Sequence, residues 1–208
     1  MADFDTQALT WDTEKRVKRA KLIAAEIVQT IPLEKHYKAL EFGCGTGLIS
    51  FNLREFLGEI TCVDIAKGMI DALHAKIVQY QATNLVACQL DVHEVTSLVP
   101  TYDLIFTSMA LHHIVDIRAT LERLYRLLKQ GGYLCIVELD EEDGSFHRGE
   151  DSFEGHNGFR QTELVKILEE IGLEEVESHT FLQDIKTIRE INVEYSLFIM
   201  KGKKIQAE

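Results

Sequence analysis

The chain has 208 residues, 46% of them hydrophobic and 27% charged, and a formal net charge of −12. That length can bury one sizeable core in a single domain, and the acidic balance argues against gripping nucleic acid through the overall field. The start of the chain does not read as a signal peptide, and apolar runs stay short of the ~18 residues that a membrane span needs, so a cytoplasmic protein with reduced thiols is expected. Cys44, Cys62, Cys88 and Cys135 are spaced too widely for a zinc or redox motif; three read as core residues and Cys44 as a small side chain in a loop.

In chain order, Met1 to Thr13 is polar except for Phe4, Leu9 and Trp11 and reads as disordered or as a mobile flap. Glu14 to Thr30 follows as a helix with Val17, Ala20, Ala24, Ile27 and Val28 near one face, ended by Pro32. A first strand closing on Leu40-Glu41-Phe42 turns through Gly43-Cys44-Gly45-Thr46-Gly47 into a helix over Leu48 to Leu57, which Gly58 stops. Glu59 to Val63 form strand two with Asp64 at its end, Lys67 to Tyr80 a helix, and Leu85 to Cys88 strand three, with Asp91 just beyond. Strand four spans Asp103 to Thr107 and empties into the loop Ser108 to Ile114, which carries His112 and His113. A helix over Asp116 to Leu128, a turn at Gln130-Gly131-Gly132 and strand five over Tyr133 to Glu138 come next.

Asp140 to Asn157 is the least regular stretch, and a loop of that length in a small domain suggests a functional segment or disorder. Thr162 to Ile171 reads as a helix closed by Gly172, Leu173 to Thr180 as a lead into strand six, Ile185 to Ile191 as a short helix or an insertion, and Tyr195 to Met200 as the last strand. Lys201 onward reads as a charged tail.

The glycine run opens a helix directly after a strand, and Asp64 follows Gly43 by 21 residues, where a nucleotide site in an α/β fold places its acceptor for the ribose hydroxyls. Gly45 and Gly47 are separated by one residue, whereas the dinucleotide fingerprint separates its second and third glycines by two. The motifs Glu41-Phe42-Gly43-Cys44-Gly45-Thr46-Gly47, Asp64, Gln89-Leu90-Asp91-Val92, Tyr102-Asp103-Leu104-Ile105-Phe106 and Leu128-Lys129-Gln130-Gly131-Gly132-Tyr133 together resemble the S-adenosylmethionine-dependent class I methyltransferases. Proline usually stands in that family where this chain has Gln130.

The resemblance implies a doubly wound, Rossmann-like, seven-stranded α/β sheet of order 3-2-1-4-5-7-6, with the last strand antiparallel between five and six. It implies one domain over 1–208, with a flap and helix over 1–30 and a substrate-side loop over 140–160. S-adenosyl-L-methionine would be the methyl donor and S-adenosyl-L-homocysteine the product. Cofactor contacts would come from Phe42, Gly43, Cys44, Gly45, Thr46, Gly47, Asp64, Ile65, Met69, Asp91 (toward the adenine amine), Val92 and Ser108.

Methyl transfer from a sulfonium needs alignment, exclusion of water and, for a protic acceptor, a base. His112 and His113 are the candidate catalytic pair because histidine titrates near neutrality. Trp11, His112, His113, Glu138, Asp140, His147, His156 and Asn157 are candidates to line the substrate pocket. The histidines and carboxylates among them carry no spacing typical of a metal site, and no metal is expected. A small-molecule acceptor is the leading reading, for a monomer or homodimer; a protein substrate for the same chemistry, or a regulator that binds the cofactor without turnover, are the alternatives. A nucleic-acid substrate is disfavoured because no basic cluster is interleaved with aromatic residues.

Overall fold

A computed structural model describes residues 4–91, 101–149 and 153–205. Val92 and positions 150–152 of the 140–160 loop lie outside the described residues. The described strands are β1 (Lys38–Phe42), β2 (Glu59–Asp64), β3 (Leu85–Gln89), β4 (Tyr102–Ser108), β5 (Leu128–Leu139), β6 (Glu174–Ile188) and β7 (Ile191–Lys203). They form one sheet of order β3-β2-β1-β4-β5-β7-β6. The five strands β1 to β5 run parallel, and β7 is antiparallel to both of its neighbours, as the resemblance implied.

The parallel strands are apolar on both faces because helices cover both, so successive residues of one strand feed different cores. Leu104 and Phe106 of β4 join Ile23, Ile27, Leu53 and Leu73, from helices α2 (Glu14–Thr30), α3 (Leu48–Leu53) and α4 (Lys67–Gln79). Between them, Ile105 joins Leu121, Leu124, Leu164 and Leu168, from α5 (Ile117–Leu127) and α6 (Gln161–Glu170). Two side chains cap the starts of their helices: Thr13 accepts from the Arg16 N–H at α2, and Asp116 from the Ala119 N–H at α5. The carboxyl ends of β1, β4 and β5 thus converge beside the point where strand order reverses, the usual ligand crevice of an open α/β sheet.

Four expectations need correction. The helix after the glycine run ends at Leu53; the Phe56 N–H bonds to the Leu53 carbonyl in a tight turn that swings Leu57 into the core. Gln130 to Gly132 do not break the chain between α5 and β5 but form an irregularity within β5, where Gly131 takes φ +80° and its N–H bonds to Lys204. Ile185 to Ile191 are neither helix nor insertion: β6 runs to Ile188 and β7 starts at Ile191, joined by a two-residue turn. Arg189 and Glu190 there take φ +48° and +67°, a geometry that Asn-Gly would have advertised and Arg-Glu conceals. Pairing also continues through Lys203, so the basic residues after Met200 begin as strand rather than tail.

The N-terminal segment is folded from Phe4 onward. A single helical turn, α1 (Phe4–Gln7), and a 3-10 turn over Ala8–Thr10 place Phe4, Ala8 and Trp11 against Ala66, Met69 and Ala72 around the start of α4. The Gly68 N–H donates to Asp5 at 2.6 Å, which satisfies one of the free donors at the start of α4.

Candidate active site

The bend after β1 is held by two backbone bonds, from the Gly43 and Cys44 N–H groups to the Val63 carbonyl at 2.9 and 3.0 Å. A Cβ at Gly43 would stand 2.4 Å from the Ala110 Cβ, so the loop after β4 closes directly onto the bend. Gly45 lies at φ +52°, and its missing side chain would point toward Trp11 Nε1 at 3.5 Å and Met69 Sδ at 4.0 Å. Gly47, at φ +74°, caps α3, and a Cβ there would meet Leu73 Cδ1 at 2.5 Å. Asp64 is turned toward this bend: one oxygen accepts from the Gly45 N–H at 2.7 Å, the other from the Ala66 N–H at 2.9 Å. Burial raises its pKa, and the backbone donors Ala66, Gly45 and Ile65 only partly oppose the rise.

Beneath the bend lies a buried polar chain that the sequence reading did not single out. Glu41 accepts from both the backbone N–H (3.3 Å) and the hydroxyl of Ser50, and the Cys62 thiol donates to that hydroxyl at 3.2 Å. Burial pushes the Glu41 carboxyl from an ordinary 4.5 to about 8, against the opposing hydrogen bonds from Ser50. Glu41 is therefore neutral at physiological pH and braces the first turn of α3 without a charge. Above the bend, Thr46 donates to Asp12, and Asp12 pairs with Lys76 at 2.7 Å, so the N-terminal segment is latched to the loop. Arg16 lies over the Trp11 ring at 3.9 Å from its centroid and donates to the Trp11 carbonyl.

Other expected cofactor residues surround this bay. Met69 is buried and Ile65 exposed, while the Leu90 N–H bonds to the Asp64 carbonyl and leads the chain past β3 to Asp91. Phe42 closes β1, and Cys44 is buried with its thiol pushed up by burial. At the end of β4, Thr107 Oγ1 and Ser108 Oγ are buried without a hydrogen-bond partner among the described residues. Met109 follows with a left-handed φ of +54°, a strained conformation of the kind that collects at functional loops. Glycines that leave a cradle, a carboxylate at its rim and orphaned hydroxyls beside it fit a nucleoside-bearing cofactor.

Beyond Ala110 the imidazoles gather. His112 is 2% exposed and its Nδ1 lies 2.8 Å from Glu138, whose carboxylate also accepts from the backbone N–H groups of His112 (3.3 Å) and Leu139 (3.1 Å). Burial pushes the Glu138 pKa up, but His112 and the two N–H groups outweigh that and hold it below the ordinary value. His113 stands 4.2 Å from His112, centroid to centroid, and His147 5.1 Å from His112; His147 stacks on Phe153 at 3.6 Å. Burial first, then His112 and His147, lower the His113 pKa to about 3. Phe4 joins the two halves of the site, with its ring 5.8 Å from Trp11 and 5.3 Å from His113.

The structure thus brings together His112, His113, Glu138 and His147. It places Trp11 against the glycine bend and leaves three other candidates outside the imidazole cluster. His156 directs its ring toward the Val115 carbonyl and Phe159, while its backbone N–H reaches the His112 carbonyl at 2.7 Å. Asn157 is an exposed turn residue beside Gly144. Asp140 accepts from Gln161 (2.7 Å), Thr180 (2.9 Å) and Ser196 (2.7 Å), tying the end of β5 to α6, β6 and β7. It also lines a cavity of about 500 Å³ with Glu142, Asp184 and Tyr195, which none of the three clustered imidazoles borders. Phe4 and Phe153 were missed because a lone phenylalanine in an irregular stretch carries no periodic signal. Among the described residues no group of three or more His, Cys, Asp or Glu is placed to hold a metal ion.

Fold and site define an open, doubly wound α/β domain with a glycine bend and a carboxylate at the sheet's reversal point, the arrangement of a nucleotide-binding fold. Residues 40–134 match the family described as a methyltransferase domain. The chain is 29% identical over 152 residues to an uncharacterized methyltransferase of Schizosaccharomyces pombe, covering 66% of this chain and 54% of that protein. It is 36% identical over 144 residues to a biotin biosynthesis bifunctional protein of Bordetella avium, covering 67% of this chain and 30% of that one. It thus spans about half of the first relative and under a third of the second. A crystal structure of a SAM-dependent methyltransferase from Aquifex aeolicus superposes with a TM-score of 0.71 at 16% identity, over 97% of this chain and 98% of that one. The chain is thus similar to methyltransferases over residues 40–134 and shares the fold of the Aquifex aeolicus S-adenosylmethionine-dependent enzyme.

Proposed function

We propose that this chain transfers the methyl group of S-adenosylmethionine to a small-molecule acceptor. The observation that carries the reading is the Asp64 carboxylate bonded to the Gly45 N–H at 2.7 Å, which sets a sugar-hydroxyl acceptor against the bend that would cradle the nucleoside. In this assignment Phe42 to Gly47 hold the cofactor's backbone side, Ile65, Met69, Asp91 and Val92 the adenine, and Ser108 the end near the acceptor. The cofactor supplies a methyl already activated by positive sulfur. The protein aligns the partners, keeps water out with Phe4, Trp11, Phe146 and Phe153, and takes up a proton if the acceptor carries one, through His112 or His113. Phe4 to Thr13 acts as the flap, with latches at Asp5 and Asp12 where it meets Gly68 and Thr46. The four cysteines are unpaired, in keeping with a cytoplasmic enzyme; a monomer or homodimer would suffice, because the described site is built within one chain.

Calorimetry with S-adenosylmethionine and S-adenosylhomocysteine tests the assignment. Micromolar binding of both is expected for the natural chain, and Gly45→Val should abolish it, because a branched side chain at φ +52° would fill the space beneath Trp11. Normal binding by Gly45→Val would mean that the bend is not the cofactor site.

A further inference from the structure

Resting on that reading, we propose that His112 is the proton acceptor of the methyl transfer and Glu138 the residue that positions it. The methyl acceptor then belongs to the protic nucleophiles: a hydroxyl, a thiol or an amine.

The two adjacent imidazoles are not equivalent. His112 alone of the pair has a carboxylate on its ring, Glu138 at 2.8 Å. An ionised carboxylate only accepts, so Nδ1 carries the proton and Nε2 keeps its lone pair; Nε2 has no hydrogen-bond partner among the described residues. Glu138 is itself fixed by the N–H groups of His112 and Leu139, so the ring cannot turn without breaking a buried bond. Anchoring the loop to β5 does not call for a charge. A glutamine could accept from the same N–H groups without the desolvation cost that a fully buried carboxylate carries. What a charge adds is stabilisation of an imidazolium, the species that exists only after His112 has taken a proton.

The surroundings support this division of labour. Glu138 faces the cluster from β5, His113 from the same loop as His112, His147 from the turn Ser145–His147, and Lys186 from β6. Lys186 donates to the Phe146 carbonyl at 2.8 Å and lies over the Phe146 ring. Glu138 is the anion set against the His112 ring to stabilise the imidazolium formed when it takes a proton. His113, pushed to about 3, cannot hold a proton near neutrality and serves as part of the wall with Phe4, His147 and Phe153. In the transfer, a lone pair of the acceptor forms the new bond to the methyl carbon as the carbon–sulfur bond breaks. Its electron pair returns to sulfur, giving neutral S-adenosylhomocysteine. The acceptor's proton passes to Nε2 of His112 and from there to solvent.

The test uses the full chain, methyl-tritiated S-adenosylmethionine and a deproteinised small-molecule extract of bacterial cells as the acceptor source. For Glu138→Gln, S-adenosylhomocysteine binding should stay within about threefold of the natural chain. Label transfer at pH 7 should fall roughly tenfold or more, and the acid limb of the rate–pH profile should move down by about one pH unit or more as the imidazole becomes less basic. Glu138→Asp keeps the charge and should restore the position of the limb, and His112→Gln should lose roughly a hundredfold. A Glu138→Gln rate within about twofold of the natural chain with an unmoved limb, which a purely structural anchor predicts, would overturn the assignment while leaving methyl transfer intact. If Glu138→Gln does not fold, a retained rate in His112→Gln overturns it equally. If the natural chain binds S-adenosylhomocysteine but labels nothing in the extract, the methyl-transfer reading itself fails and this assignment with it.

Discussion

Replacing Glu41 by glutamine removes a titratable proton from beneath the glycine bend while keeping an oxygen to accept from Ser50. The folded carboxyl titrates near 8 and an exposed one near 4.5, so the folded chain binds this proton more tightly than the unfolded chain. Stability from this group is complete below pH 4.5 and falls as pH rises toward 8, because the unfolded state has released a proton that the folded state still holds. The slope is roughly 1 kcal/mol per pH unit, and across the window the loss is on the order of 4 kcal/mol. Glu41→Gln has no proton to lose. Its stability should match the natural chain near pH 5 and exceed it by roughly 3 kcal/mol near pH 8. Urea unfolding of both proteins at pH 5, 6, 7 and 8, followed by circular dichroism, measures the difference directly. Asp64 and the other shifted groups are common to both chains and cancel. Parallel stability curves would refute the reasoning, since they would mean that Glu41 ionises as it does in water.

Gly47→Ala combines a left-handed φ with a 2.5 Å approach to Leu73 and should cost about 2 kcal/mol, read as a lower urea midpoint; an unchanged midpoint would show that the start of α3 relaxes freely. Glu190→Gly relieves a side chain at φ +67° in the β6–β7 turn and should raise stability by about 1 kcal/mol, visible as a higher melting temperature. Asp12→Ala removes both the Thr46 and the Lys76 contacts of the flap; hydrogen exchange should quicken in segment 4–13 with little change in global stability, and unchanged exchange would show that the apolar contacts of Phe4 and Trp11 suffice as the latch.

The parts of the fold that were legible before the structure are those written in short-range patterns. β1, β2 and β4 are short, mainly apolar runs bounded by turn residues, α2 is periodic, and the glycine run with Asp64 joins a loop to a strand end at fixed spacing. What stayed hidden depends on contacts between distant residues. The long β6–β7 hairpin is half exposed and turns through Arg189-Glu190, so neither alternation nor turn chemistry announces it. The grouping of His112 and His113 with His147 requires the 145–147 turn to fold back over β5, which no local signal encodes. Asp140 and Asn157 read as pocket residues because they are polar and lie in a long loop. The structure ties the first to α6, β6 and β7 at the rim of a cavity and leaves the second exposed beside Gly144.

The contact between Gly43 and Ala110 makes the two loops of the site share the volume of a single methyl group. At 2.4 Å from the position of a Gly43 Cβ, the Ala110 side chain already occupies that volume, so an alanine at 43 and the alanine at 110 cannot coexist as the loops now lie. Gly43→Ala and Ala110→Gly should therefore be non-additive, with the double substitution less damaging than the first alone. Any drift of one loop during divergence must be answered by the other, which binds the bend after β1 and the loop after β4 into one heritable unit.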